Sequence, residues 1–280
     1  MIESSFCFLS GVGRRTERQW WQRGVETWAD FLCSRSIPRL GPSRKACYDE
    51  ELCRAMAQRE QEDARYFANK LHACDQWRLY EWLRPRAVYL DIETNSFGQI
   101  TVVGLYGHGG FTSLVEGDLL SRRRLCDELA QYDLLVTFNG TSFDLPVLLA
   151  SIQGLPLDQP HIDLCLLGRQ LGYRGGLKAI ELQLGIQRRA DLWGMSGADA
   201  GQLWNRWLCS RDEEARERLL AYNEADCVNL QPLADMFYCQ MVQQHRAEFA
   251  GSSVKTERQV ESASPAELDH DAPQAKRVCE

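Results

Sequence analysis

Apolar positions follow two rhythms along this chain. From Arg86 onward they recur every second residue in short runs, AVYLDIE, QITVVGLYG and FTSLVE, separated by the turn residues Asn95, Ser96 and Gly98 and by the glycines of residues 107–110. Alternation with period two marks strands with two different faces, and this spacing predicts a three-stranded meander. Next come a helical stretch near LLSRRRLCDELAQY, a buried strand in DLLVTFNG and a helix in FDLPVLLASIQG. HIDLCLL begins as one more short strand, and GGLKAIELQLG, DAGQLWNRWLC and RDEEARERLLAYNEADCVNLQPLADMFYCQM carry helical spacing. The expected fold class is α/β: a mixed sheet flanked by helices.

Residues 1–84 show the other rhythm. They predict a helix through RTERQWWQRGVETWADFL, a break at IPRLGPS, and a long amphipathic run from Ser43 to about Leu83, with Ser43 as N-cap after Pro42. Trp20, Trp21, Trp28, Phe31, Trp77, Tyr80 and Trp82 are read as packing partners in a small helical layer. After about His245 the chain turns polar, with few large apolar residues. The expected organisation is therefore a helical N-terminal region over 1–84, an α/β domain over 85–245, and a disordered polar tail over 246–280.

Composition narrows the classes. The 280 residues are 44% hydrophobic and 25% charged, as in an ordinary globular protein. No run approaches the roughly 20 apolar residues that span a bilayer, and the opening MIESSFCFLSG has no secretory pattern, so a cytoplasmic location without membrane contact is expected. The 11 cysteines are scattered with no C-x-x-C pair, which points to reduced, small core residues rather than a zinc cage or a disulfide framework. A net charge of −7 argues against holding nucleic acid through bulk positive charge but leaves room for local basic grooves. The acidity is concentrated in 85–245.

Part of that acidity sits where it should be costly. On a strand, Asp91 and Glu93 share one face with Cα atoms roughly 7 Å apart, and two like charges there raise a pKa or demand a cation. Hard oxygen ligands on a rigid strand suit Mg²⁺ or Mn²⁺. Asp144 follows a strand and opens a helix, fitting either a carboxylate that answers the helix dipole or a ligand presented to a cleft. Tyr222 and Asp226, four apart on one helical face beside Leu219, Leu220, Val228 and Leu230, fit either a buried hydrogen bond or a shared site.

The order D-I-E, then N-x-x-x-F-D, then Y-x-x-x-D resembles the three exonuclease motifs of the DEDD superfamily, which has a ribonuclease H-like fold. Tyrosine four residues before the last aspartate resembles the tyrosine subclass; the histidine subclass would place His where Ala221 stands. More closely, YLDIET, FNGTSFDLPVL, HIDLCLLGRQL followed by GLKAIELQLGIQR, and LLAYNEADCVNL resemble the YprB-like ribonuclease H-like domain over about residues 86–240. The resemblance implies a 3′–5′ exonuclease that hydrolyses phosphodiester bonds at single-stranded DNA or RNA ends with two divalent ions, Mg²⁺ or Mn²⁺. It implies that Asp91, Glu93 and Asp226 hold the ion at the attacking water, that Asp91 and Asp144 serve a second ion, and that Tyr222 orients the water.

Other residues are read more plainly. His161 and Asp163 in HIDL are expected to make a structural hydrogen bond at a strand end, and Lys178 is expected to be solvated, with a phosphate neighbour as the alternative. The opening FLSGVGRRTERQWWQRGVETWADF resembles a helix-hairpin-helix element with Arg14 and Arg15 beside a G-x-G turn; simple helix packing is the competing reading. Two further functional readings remain, a catalytically weak nucleic-acid-binding or scaffold module and an endonuclease of the same fold.

Overall fold

A computed structural model of the chain describes the backbone of residues 1–261 and the side chains of residues 1–245. Its centre is a five-stranded mixed sheet in the order β3-β2-β1-β4-β5. Strands β1 (Ala87–Thr94), β2 (Ile100–Gly107) and β3 (Gly110–Val115) form the expected meander, antiparallel at both joins. After helix α6 (Arg122–Leu129), β4 (Leu134–Thr137) lies parallel to β1, and after α7 (Asp144–Ser151), β5 (His161–Asp163) lies parallel to β4.

Period two in β1 sorts its side chains between two cores. Val88, Leu90 and Ile92 enter a cluster with Leu125 and Leu129 of α6 and Leu148 of α7. Ala87 and Tyr89 face the opposite way, into a cluster that contains Leu230, Leu233 and Phe237. The last three lie on α11 (Glu213–Glu261), which follows α8 (Leu164–Leu171), α9 (Leu177–Leu184) and α10 (Gly197–Ser210). Asp91 and Glu93 continue the odd-numbered row and so face α11.

The same core continues into the N-terminal residues, where Phe6, Trp20, Trp28, Phe31 and Trp77 pack with Tyr89 and Val136. The single helix expected over 15–32 is two helices, α1 (Arg14–Trp21) and α2 (Trp28–Cys33), because Gly24 takes φ +81 between them and Thr27 caps the second. The long run to Leu83 is likewise divided into α3 (Pro42–Glu60), α4 (Ala64–Lys70), a 3₁₀ turn at Ala73–Leu79 and α5 (Tyr80–Leu83). Gly41, not Ser43, is the N-cap of α3, and Pro42 takes the first helical turn, where its missing N–H costs nothing. The helix-hairpin-helix first helix is only a three-residue 3₁₀ turn, Ile2–Ser4. The loop after it is sewn down instead: Phe6 N donates to Glu17 Oε1 at 2.6 Å, and Glu17 pairs with fully buried Arg78 at 2.8 Å.

Two further differences concern α8 and the cysteines. HIDLCLL begins as strand β5, and LCLLGRQL, for which no helix is expected from the sequence, forms α8, because Asp163 ends the strand and accepts from the N–H groups of Cys165 and Leu166. Among the described cysteines all are free thiols, but only Cys165 and Cys227 are buried, so most are surface residues rather than core filler. Helix α11 runs to Glu261, into the stretch expected to be a polar tail; residues 262–280, the rest of that stretch, lie outside the described residues. No helix among the described residues is long and apolar enough to cross a membrane.

Candidate active site

Helix α11 reaches the sheet because β2 lets it in. Gly104 pairs with Asp91 across the β1–β2 ladder. A Cβ on Gly104 would lie 2.1 Å from Asn223 Oδ1 and 2.7 Å from Cys227 Sγ. The bare glycine therefore allows Asn223 to donate to Asp91 Oδ2 at 2.9 Å. One turn along, Asp226 joins the two strand carboxylates, and oxygens of Asp91, Glu93 and Asp226 lie within 4.8 Å of one another.

Asp144 enters from the other crossover. Thr137 ends β4, Asn139 turns the chain at φ +66, and Gly140 is so close to Thr137 that a Cβ would lie 2.1 Å from Thr137 Oγ1. Asp163 fixes this turn by accepting from Asn139 N at 2.9 Å and Thr141 N at 3.0 Å. Asp144 then opens α7, and its Oδ1 accepts from Ile92 N at 3.1 Å, between the two strand carboxylates. It borders the three-carboxylate group without belonging to it.

The electrostatics record the crowding. Burial, followed by the charges of Asp226, Glu93 and Asp144, pushes Asp91 well above the carboxylate range. Glu93 is pushed up to about 8 by burial and by Asp226, against the pull of Lys178. Asp144 rises to about 7 through burial, although the Ile92 N–H resists. Asp226 is also raised by burial, with Arg188 and Lys178 opposing. Burial first, then Asp226, Glu93 and Asp91, raise Tyr222 too, so the phenol is protonated at neutral pH.

Lys178 is not a solvated lysine. Its Nζ donates to Tyr222 Oη at 2.5 Å and lies 4.4 Å from the ring centroid. Arg188 is a residue that sequence reading missed. With 1% of its side chain exposed, it donates through Nε and Nη2 to Glu181 at 2.5 and 2.7 Å, and its Nη1 stands 2.5 Å from Asp226 Oδ1. Asn229 Nδ2 holds Glu181 from the other side at 3.0 Å. The signal available was a glutamate and an arginine seven apart around the turn after α9, too common to single out.

The donor set fits a divalent metal. It is all oxygen, partly buried and mutually repulsive. Arg188 Nη1 offsets Asp226 at 2.5 Å, while burial and the charge of Asp226 hold Asp91 and Glu93 above the carboxylate range. Buried like charges of this kind favour a bound cation. Asp91, Glu93, Asp144, Tyr222 and Asp226 are thus brought to one place. His161 is set apart as a structural residue, its Nε2 2.8 Å from Thr137 Oγ1 and its pKa lowered to about 4, chiefly by burial.

A mixed sheet in this order, with carboxylates from β1, α7 and α11, defines a class. The family model of the RNase H superfamily matches residues 88–238, and the chain belongs to that superfamily. Among solved structures it is similar to the family B DNA polymerase from the hyperthermophilic archaeon Pyrobaculum calidifontis, at 16% identity and a TM-score of 0.44, over 54% of this chain. The chain spans 24% of that polymerase's length. No curated protein matches it.

Proposed function

We propose that the protein is a 3′–5′ exonuclease of the tyrosine subclass of the DEDD superfamily, with a YprB-like nuclease domain over 85–245, acting on single-stranded ends of DNA or RNA. The observation that carries the reading is the convergence of Asp91, Glu93 and Asp226 oxygens within 4.8 Å in a largely buried cluster. Asp91, Glu93 and Asp226 would hold one divalent ion, Mg²⁺ or Mn²⁺, and Asp91 and Asp144 would serve a second. Ions held there supply Lewis-acid activation of water and neutralise charge on the leaving oxygen of an in-line phosphoryl displacement.

The chain's own groups do the rest. Lys178 donates to Tyr222 Oη, so the phenol oxygen is occupied as an acceptor and its O–H is left to donate into the cluster, toward the attacking water. Asp226 is kept in place by Arg188, which is itself fixed by Glu181. Asn223 fixes Asp91 from α11, and Asp163 fixes the turn that carries Asp144. The helical layer of residues 1–84 supports the domain through the core it shares with the sheet.

The test uses 3′-labelled and 5′-labelled single-stranded DNA and RNA with Mn²⁺, with Mg²⁺ and with chelator, beside Asp91→Asn. The expected result is metal-dependent release of mononucleotides from the 3′ end, absent in Asp91→Asn. Cleavage within end-blocked circles would replace this reading with an endonuclease, and no cleavage of any substrate would replace it with a binding module.

A further inference from the structure

The G-x-G turn near the N-terminus does not form the expected hairpin, yet its Arg14 has a defined destination. The guanidinium pairs with Asp75 at 3.1 Å, donates to the Cys74 carbonyl at 3.1 Å, and reaches Gln170 Oε1 on α8 at 3.4 Å. This bridge joins the N-terminal layer to the edge of the sheet. Beside it lies a cavity of about 160 Å³, lined by Trp77, Leu166 and Leu167 together with His72, Thr141 and Gln170.

Position ties this cavity to the carboxylates. Thr141 precedes Asp144 by three residues, so chain reach limits their Cα separation to about 11 Å. His161 to Asp163 of β5 also line the cavity, and β5 lies two strand spacings from β1, about 10 Å. The cavity therefore sits along the same C-terminal edge of the parallel strands that carries Asp91, where α/β sheets bind ligands. One or two nucleotide steps cover that distance.

Lining and charge indicate what would fill it. A lining of Trp77, Leu166 and Leu167 with a few polar side chains suits a flat heterocycle with a hydrogen-bonding rim. Arg14, partly exposed and bonded to Cys74 and Gln170 of the lining, keeps a guanidinium edge for a phosphate while Asp75 pairs with it.

We propose that this cavity binds one nucleobase of the substrate strand, one or two nucleotides from the phosphodiester cleaved at the carboxylate cluster, with Arg14 beside the connecting phosphate. The subsite rests on the nuclease reading above and gives the N-terminal layer a part in holding the strand.

The experiment measures binding of fluorescein-labelled oligothymidylate and oligouridylate to the full chain carrying Asp91→Asn, with an abasic residue placed at each position in turn. One position should weaken binding about tenfold, the loss expected for a stacked base. Ala73→Phe, from an exposed position lining the cavity, should weaken binding of the intact oligonucleotide about tenfold and abolish the abasic effect. Leu166→Trp fills the same space from α8 and serves if Ala73→Phe lowers the melting temperature. Intact affinity in a folded, filled variant, or an abasic effect that persists there, would overturn the subsite. If the filled chains with Asp91 restored still cleave, the nuclease reading stands; absence of both cleavage and oligonucleotide binding in the unsubstituted chain would overturn both.

Discussion

The crowded carboxylates predict that the metal-free protein loses stability as pH rises through neutrality. Folded Glu93 keeps its proton to about pH 8, whereas in the unfolded chain it ionises near 4.5. Asp144 behaves alike, at about 7 against 3.8. The folded state therefore binds more protons across the window, and stability present at low pH is lost as pH climbs through the folded values. Between pH 5.5 and 8, Glu93 alone accounts for roughly 3 kcal/mol at 1.36 kcal/mol per pH unit. Asp144 adds about 2 kcal/mol to the fall. His161 and His245, lowered from 6.5 to about 4, oppose it by about 1.4 kcal/mol each, because their unfolded imidazoles give up protons in that window; the net fall is about 2 kcal/mol. In a chain of this size that corresponds to a fall of about 4 °C or more in melting temperature. The assay is thermal and urea unfolding from pH 5.5 to 8 with chelator, with saturating Mn²⁺, and for Glu93→Gln. Chelated wild type should fall, while Mn²⁺ and Glu93→Gln should each flatten the slope. A chelated wild type equally stable or more stable at pH 8 would refute the reasoning.

Tyr222→Phe should slow cleavage while Mn²⁺ affinity, measured by calorimetry, stays near wild type; a matching loss of affinity would make the tyrosine structural. Gly104→Ala should destabilise the fold by about 1–3 kcal/mol and depress activity further, because its Cβ displaces Asn223; urea unfolding and a cleavage assay together check this. Replacing the buried pair at once, Glu181→Met with Arg188→Met, leaves the site's net charge unchanged but frees Asp226. Mn²⁺ affinity should fall at least about tenfold, as for other groups that orient metal ligands, and an unchanged affinity in a folded double variant would count against Arg188 as a positioning residue.

What was legible in the sequence depended on whether a residue's role followed from its neighbours along the chain. Asp91 and Glu93 could be placed on one face because strand alternation is local, and the observed β1 keeps that phase. Tyr222 and Asp226 could be paired because helical spacing is local too. The break of the N-terminal run was visible in principle at Gly24, but the amphipathic pattern masked it. Helix α8 was hidden because LCLLGRQL is apolar enough to pass for a strand; Asp163 was the overlooked cap. Arg188 and the true position of Lys178 were out of reach, since each acts across a tertiary contact with α11. The same holds for Gly104, whose necessity is set by a helix more than a hundred residues later.

The most direct measurement of the central claim is calorimetric titration of Mn²⁺ into the metal-free full chain at pH 8, beside Asp91→Asn. Saturable binding in wild type, weakened at least about tenfold in a folded Asp91→Asn, is the predicted result. Equal binding by both chains, or none by wild type, would contradict the assignment of these carboxylates to a metal centre.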